Sequence, residues 1–121
     1  MYELLVTAGF AAAHCLRGYK GACEKLHGHN WKIDVVLEAE KLDEIGMVVD
    51  FKDVKATLRE ILEALDHSFL NDLPQFKQMN PTTENIARYV SESLAPRLPH
   101  GVRVKNVTSW ESDNCGAKYV P

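Results

Sequence analysis

The chain lacks the features that mark a secreted, membrane-embedded or polyanion-binding protein. Only three cysteines, Cys15, Cys23 and Cys115, occur among 121 residues, and no two form a Cys-x-x-Cys pair. An odd, unclustered set excludes a full disulfide framework and a thiolate-built structural zinc site, so free thiols in a reducing compartment are expected. Cations are not in excess either: 14 Lys and Arg stand against 17 Asp and Glu, a formal charge of −3. A surface that tracks phosphates nonspecifically needs a basic surplus, so no nucleic-acid partner is expected. There is no run of about 18 apolar residues, and Met1-Tyr2-Glu3-Leu4-Leu5-Val6 carries an acid where a signal peptide carries Lys or Arg. The expectation is a cytoplasmic protein without a membrane partner. No internal repeat or low-complexity segment is present.

What is present is the composition of an ordinary globular chain, 45% hydrophobic and 26% charged, with room for one domain over residues 1–121. Even positions from Leu4 to His14 are apolar until His14 itself, a period of two that marks a strand with one buried face. Odd positions His27, His29, Trp31, Ile33, Val35, Leu37 and Ala39 alternate with polar even ones, Val36 excepted. One-sided alternation indicates an antiparallel sheet with one face on a core and one in water. Cys15 to Leu26, with Gly18 and Gly21, reads as a loop.

Asp50 is a fitting N-cap for a helix whose apolar stripe is Phe51, Val54, Leu58, Ile61, Leu62 and Leu65, with Asp66-His67 just beyond. A second helix, capped by Thr82 or Thr83, carries Ile86, Ala87, Val90 and Leu94. Val102 to Glu111 is β-rich, and Ala117 to Val120 completes a last strand. The predicted fold is α+β: a four-stranded antiparallel sheet with two helices on one face, in the order β-β-α-α-β-β. Met47-Val48-Val49 leaves room for one short extra strand before the first helix.

His27 and His29 project to the same face of their strand, and a hairpin-like pairing across the Cys15–Leu26 loop brings His14 opposite them. A His-x-His pair alone is more often solvated or hydrogen-bonded than metal-bound. A third imidazole on the same apolar face changes the balance, since three such rings otherwise need buried partners. Three histidines without clustered thiolates suit zinc at a catalytic site, with one position left open.

Cys23 lies four residues before His27, between Lys20 and Lys25. Nearby cations lower a thiol's pKa and favour the thiolate, making Cys23 a candidate base or nucleophile, although most cysteines are small hydrophobes. Asp66-His67 at a helix end suits a paired acid and imidazole, or equally a turn residue and a helix-dipole partner. Glu111, where a strand enters a turn, can present a carboxylate to a cleft or simply to water.

Phe10-Ala11-Ala12-Ala13-His14, Cys23-Glu24-Lys25-Leu26-His27-Gly28-His29-Asn30, Leu65-Asp66-His67-Ser68-Phe69-Leu70-Asn71, Pro81-Thr82-Thr83-Glu84-Asn85 and Trp110-Glu111-Ser112 follow one another in order along nearly the whole chain. Together they make it resemble the 6-pyruvoyl-tetrahydropterin synthase / 6-carboxy-tetrahydropterin synthase family. The resemblance implies that His14, His27 and His29 bind Zn2+, that Cys23 removes a proton, and that Asp66 and His67 relay protons. It further implies that Glu111 anchors a pterin and that Thr82 and Thr83 line its pocket.

It implies a tunnelling fold in which three chains close a barrel and two trimers stack, a homohexamer with active sites between subunits. The three residues between Cys23 and His27 look like the bacterial 6-carboxy enzyme of queuosine and preQ0 synthesis. That enzyme is a carbon–carbon lyase that turns 7,8-dihydroneopterin triphosphate into 6-carboxy-5,6,7,8-tetrahydropterin, acetaldehyde and triphosphate. The alternatives are the 6-pyruvoyl synthase and a non-catalytic pterin-binding member. Cys15 stands where the family commonly has Arg, and Trp31 where it has Tyr or Phe; Arg17, Lys20 and Lys25 are candidates to supply the missing charge at the triphosphate. A cupin reading fails because Ile33 and Asp34 stand where its Glu is required.

Overall fold

A computed structural model describes residues 1–19 and 25–121. Cys23 and Lys20 lie outside the described residues. Strand β1, Tyr2–His14, pairs with β2, His27–Ala39, antiparallel and without interruption from Tyr2↔Ala39 to His14↔His27. The two predicted alternations therefore fall on one face: Val6, Phe10, Ala12 and His14 are buried together with Trp31, Ile33, Val35 and Leu37. Helix α1, Phe51–Glu63, starts at Asp50, whose side chain accepts from the Lys52 N–H, and buries Val54, Leu58, Ile61 and Leu62. Phe51, placed in the stripe by its spacing, is half-exposed, because it is the helix's first residue and lies beyond the edge of the packed face.

Helix α2, Thr83–Leu94, is capped by Thr82, whose hydroxyl accepts from the Asn85 N–H, and buries Ile86, Ala87, Val90 and Leu94. Both helices contribute to the same apolar cluster as the strands. The four long strands, completed by β4, Arg103–Trp110, and β5, Gly116–Tyr119, are antiparallel as predicted.

The sheet holds one strand more than the four long ones. Ser68–Phe69, labelled β3, pairs in parallel with Ala12 and Ala13, giving the order β3-β1-β2-β4-β5. The short strand thus follows α1 rather than preceding it, and Met47–Val49 forms no strand. Position β3 is secured by a two-point clamp on Ala11: its N–H donates to Asp66 Oδ1 at 2.8 Å and its carbonyl accepts from the His67 N–H at 2.6 Å. His67 has φ 54, a left-handed conformation uncommon outside glycine and asparagine, which turns the chain from the helix end into the edge of β1.

A register shift between Val36 and Leu37 shapes the other side of the sheet. Val36 faces Asn106 but Leu37 faces Val104, so Lys105 is an extra residue on β4. Such a bulge reverses which alternate residues face the core. Val104 is buried before it, and Val107 and Ser109 after it. Trp110 accordingly turns to the polar face, where its Nε1 donates to Asp34 Oδ2 at 2.9 Å, and Glu111 follows on the core side. Gly116 opposes Trp110 across β4–β5, where an added Cβ would sit 2.7 Å from the indole ring; only glycine admits this approach.

The Ala11 N–H, and then His67, hold the Asp66 carboxyl below its ordinary value of 3.8. A depressed folded pKa contributes stability that is complete above the unfolded value and lost as pH falls through the folded one. Wild-type protein should therefore lose its stability advantage over Asp66→Asn as pH drops from about 6 to about 2. Urea titrations across that range check it, and a gap independent of pH would contradict the clamp.

Candidate metal and pterin site

The β1–β2 register sets His14 directly opposite His27 and Ala12 opposite His29. The three rings stand edge to face, with centroids 4.6 Å apart for His14–His27 and His27–His29 and 5.2 Å for His14–His29. Buried Trp31 forms the floor, its ring edge-on to both His14 and His29, and its Nε1 donates to the Ala12 carbonyl at 3.3 Å. Glu111, brought to the core side by the bulge, closes the group. Its Oε1 is 2.7 Å from His29 Nε2, 3.6 Å from His14 Nε2 and 3.7 Å from His27 Nε2.

Hydrogen bonds on the far side of the rings decide which nitrogens face inward. His14 Nδ1 meets the Pro81 carbonyl at 2.8 Å and His27 Nδ1 the Lys25 carbonyl at 2.9 Å. A carbonyl only accepts, so each Nδ1 carries the proton and each Nε2 offers a lone pair. Those two Nε2 atoms are 3.0 Å apart. In neutral rings this opposes two lone pairs, a repulsion that a second proton on one ring or a shared cation relieves. His29 Nε2 is buried and has no hydrogen bond of acceptable angle despite its closeness to Glu111. Burial, and then the neighbouring His27 and His14, lower the His29 pKa against the pull of the Glu111 charge, which favours the neutral ring.

An unsatisfied buried polar atom costs about 1–3 kcal/mol, and a metal ion here would satisfy His29 Nε2 and separate the facing His14 and His27 Nε2 atoms at once. The four ligand atoms lie within 4.8 Å of one another, a spread compatible with donors around one ion at about 2.0–2.1 Å per imidazole nitrogen. The residues present fit a metal.

The remaining predicted site residues are placed less centrally. The Thr83 hydroxyl approaches Glu111 Oε2 at 3.4 Å, linking the carboxylate to the start of α2, while the Thr82 hydroxyl is occupied as the helix cap. Asp66 and His67 contact each other directly, Oδ2 to Nδ1 at 2.9 Å, which adjacent residues seldom do. They sit on the edge of β1 opposite to β2 and are not part of the four-residue cluster. His67 is 82% exposed.

The Arg17 guanidinium donates to the Phe76 and Met79 carbonyls and to Asn80 Oδ1. A proline carbonyl offers no periodic signal in the sequence, and only its contact with His14 Nδ1 reveals the part of Pro81. The larger hollows, about 760 and 520 Å³, lie on the polar sheet face and at the opposite end of the sheet. An open hollow of about 300 Å³ reaches His29.

The arrangement agrees with what the chain is similar to. The family model described as 6-pyruvoyl tetrahydropterin synthase matches residues 3–121. A Pyrococcus furiosus protein named dihydroneopterin monophosphate aldolase is 36% identical over 116 residues, 96% of this chain and 95% of that one. The 6-carboxy-5,6,7,8-tetrahydropterin synthase of Rickettsia felis is 32% identical over 125 residues, 88% and 91% of the two chains. The structure of Caenorhabditis elegans 6-pyruvoyl tetrahydropterin synthase superposes with a TM-score of 0.85 at 27% identity, covering 99% of this chain and 95% of that one. With its strand order, its His-His-His-Glu cluster and a family match over nearly its full length, this chain belongs to the 6-pyruvoyl tetrahydropterin synthase family of enzymes.

Proposed function

We propose that residues 1–121 act as one pterin-synthase unit that converts 7,8-dihydroneopterin triphosphate into 6-carboxy-5,6,7,8-tetrahydropterin, with acetaldehyde and triphosphate released, in queuosine and preQ0 synthesis in the cytoplasm. The observation that carries this reading is the convergence of three imidazole nitrogens and one carboxylate beside the start of α2. His14, His27 and His29 are the residues that would hold zinc. As a Lewis acid at the side-chain hydroxyls, zinc would make the neighbouring C–H bonds more acidic.

Each protein group then has a task its chemistry suits. The Glu111 carboxylate can accept two parallel N–H bonds, from the pterin's amino group and ring N–H, with Thr83 steadying its other oxygen and Thr82 holding the helix start beneath. Cys23 removes the acidified proton as thiolate. Asp66, kept ionised by the Ala11 N–H and by His67, orients the His67 ring, which passes protons on the opposite side of the substrate. Arg17, Lys20 and Lys25 are candidates for the triphosphate.

Asp66 and His67 lie outside the cluster of their own chain, and His67 is exposed. The hollow that reaches His29 is open and only about 300 Å³. Both features favour a homohexamer, a dimer of trimers, in which one copy's relay completes another's site and strand edges close a barrel.

The first test is metal content. Protein purified without added metal should carry one zinc per chain by elemental analysis, and His27→Ala should lose most of it; full retention would remove His27 from the ligand set. The second is product analysis. Incubation with 7,8-dihydroneopterin triphosphate should yield acetaldehyde and a carboxylated pterin by mass spectrometry, whereas a pyruvoyl product assigns the chain to the pyruvoyl branch. The similarity to the Pyrococcus furiosus protein favours a second reading, carbon–carbon cleavage of dihydroneopterin monophosphate. Turnover of the monophosphate alone would establish it, and turnover of neither would leave a binding protein. Cys23→Ala should lose at least about 10²-fold in turnover while still binding pterin, and near-normal rates would exclude the thiol.

A further inference from the structure

Between His14 and the helix α2 runs a hydrogen-bonded brace to which no role has yet been assigned. Asn80 Oδ1 accepts from the Arg17 N–H at 3.0 Å and from Arg17 Nε at 3.2 Å, and Asn80 Nδ2 donates to the Arg17 carbonyl at 2.8 Å. The Arg17 guanidinium returns to the Phe76 carbonyl and, at 3.0 Å, to that of Met79. Residue 17 is thus fastened through both its backbone and its side chain to the segment that ends in Asn80. The Asn80 carbonyl accepts from the Thr82 N–H at 2.8 Å and from Asn85 Nδ2 at 2.9 Å, which ties the same residue to the start of α2.

Pro81 sits between these fastenings. It has no N–H and a nearly fixed φ, so its carbonyl direction is set by Asn80 before it and Thr82 after it. That carbonyl is the partner of His14 Nδ1. A ring's orientation and the position of its proton are set by the hydrogen bond on the nitrogen away from a metal, and removing such a partner typically costs about 10- to 100-fold in metal affinity.

We propose that Asn80, braced by Arg17, is a positioning residue of the metal centre: it aims the Pro81 carbonyl at His14 Nδ1 and so turns the His14 Nε2 lone pair into the cluster. The proposal rests on reading that cluster as a metal site. It also gives a role to the Arg17 guanidinium bonds to the Phe76 and Met79 carbonyls.

Zinc affinity, measured on the full chain by competition with a chromophoric chelator, tests the proposal without reference to turnover. Asn80→Ala should bind zinc about 10- to 100-fold more weakly than wild type. Asn80→Asp, which keeps the oxygen that accepts both Arg17 contacts but sets its second oxygen against the Arg17 carbonyl, should recover only part of that loss. In a His14→Ala background the same Asn80→Ala change should alter the residual affinity by less than about twofold, since the ring it positions is gone.

A general loosening of the fold would instead weaken binding equally in both backgrounds, and that result overturns the proposal. So does wild-type affinity in Asn80→Ala. Should Asn80→Ala not fold, Arg17→Gln serves in its place; it removes the guanidinium bonds to Phe76 and Met79 and should weaken zinc in the same direction, and no change there overturns the proposal equally. Wild-type protein that takes up no zinc overturns the metal reading itself, and this proposal with it.

Discussion

The uninterrupted antiparallel register of β1 on β2 is the constraint on which the rest depends. Side chains alternate with a period of two, so a slip by one residue would carry every apolar side chain of one strand to the wet face. Burial of Val6, Phe10, Trp31, Ile33, Val35 and Leu37 on one face penalises that slip heavily. The same register sets His14 opposite His27 and Ala12 opposite His29. The metal cluster is therefore held in place by hydrophobic burial along the rest of the hairpin. Its histidines occupy the last positions of a face that is otherwise core.

A polar group at the end of an apolar face is costly unless its hydrogen-bonding capacity is met. Here the outer nitrogens of His14 and His27 are met by carbonyl oxygens, and the inner ones are left facing one another and Glu111. Folding energy supplied by the core is spent on holding three imidazoles together, with the buried His29 Nε2 left without a hydrogen bond. This is the condition for strong metal binding, because the ion is not asked to order its ligands. It also accounts for the density of hydrogen bonds behind the site, where Asn71 pairs with both backbone groups of Cys15 and Asn80 with those of Arg17. The loop leaving β1 is given backbone partners by side chains where no strand is available.

Legibility in the sequence followed periodicity. The two alternations, the helical stripes, the Asp50 and Thr82 caps and the shared face of His27 and His29 were readable because each is set by local geometry repeated over several residues. The position of Glu111 was not. Val104, Val107 and Trp110 were visible as β-formers, but no local pattern marks Lys105 as an extra residue. Without that bulge the alternation would have turned Glu111 away from the histidines. The exception noted in β2, Val36, is the residue opposite the irregularity, and it was the one available sign. The two-residue strand Ser68–Phe69 was likewise too short to show a period, and its place depends on the Asp66 clamp to Ala11.

The sequence by itself determined which residues belong to a strand face or a helix stripe, and that His27 and His29 share one face and His14 ends an apolar one, since burial and backbone geometry act within a few residues. Only the tertiary structure decided that Glu111 joins those imidazoles, that Arg17 braces Asn80, and that Asp66 and His67 meet each other at the far edge of β1. Those outcomes turn on hydrogen bonds between segments 55 to 67 residues apart in the chain and on one inserted residue in a strand, and neither leaves a local trace in the order of amino acids.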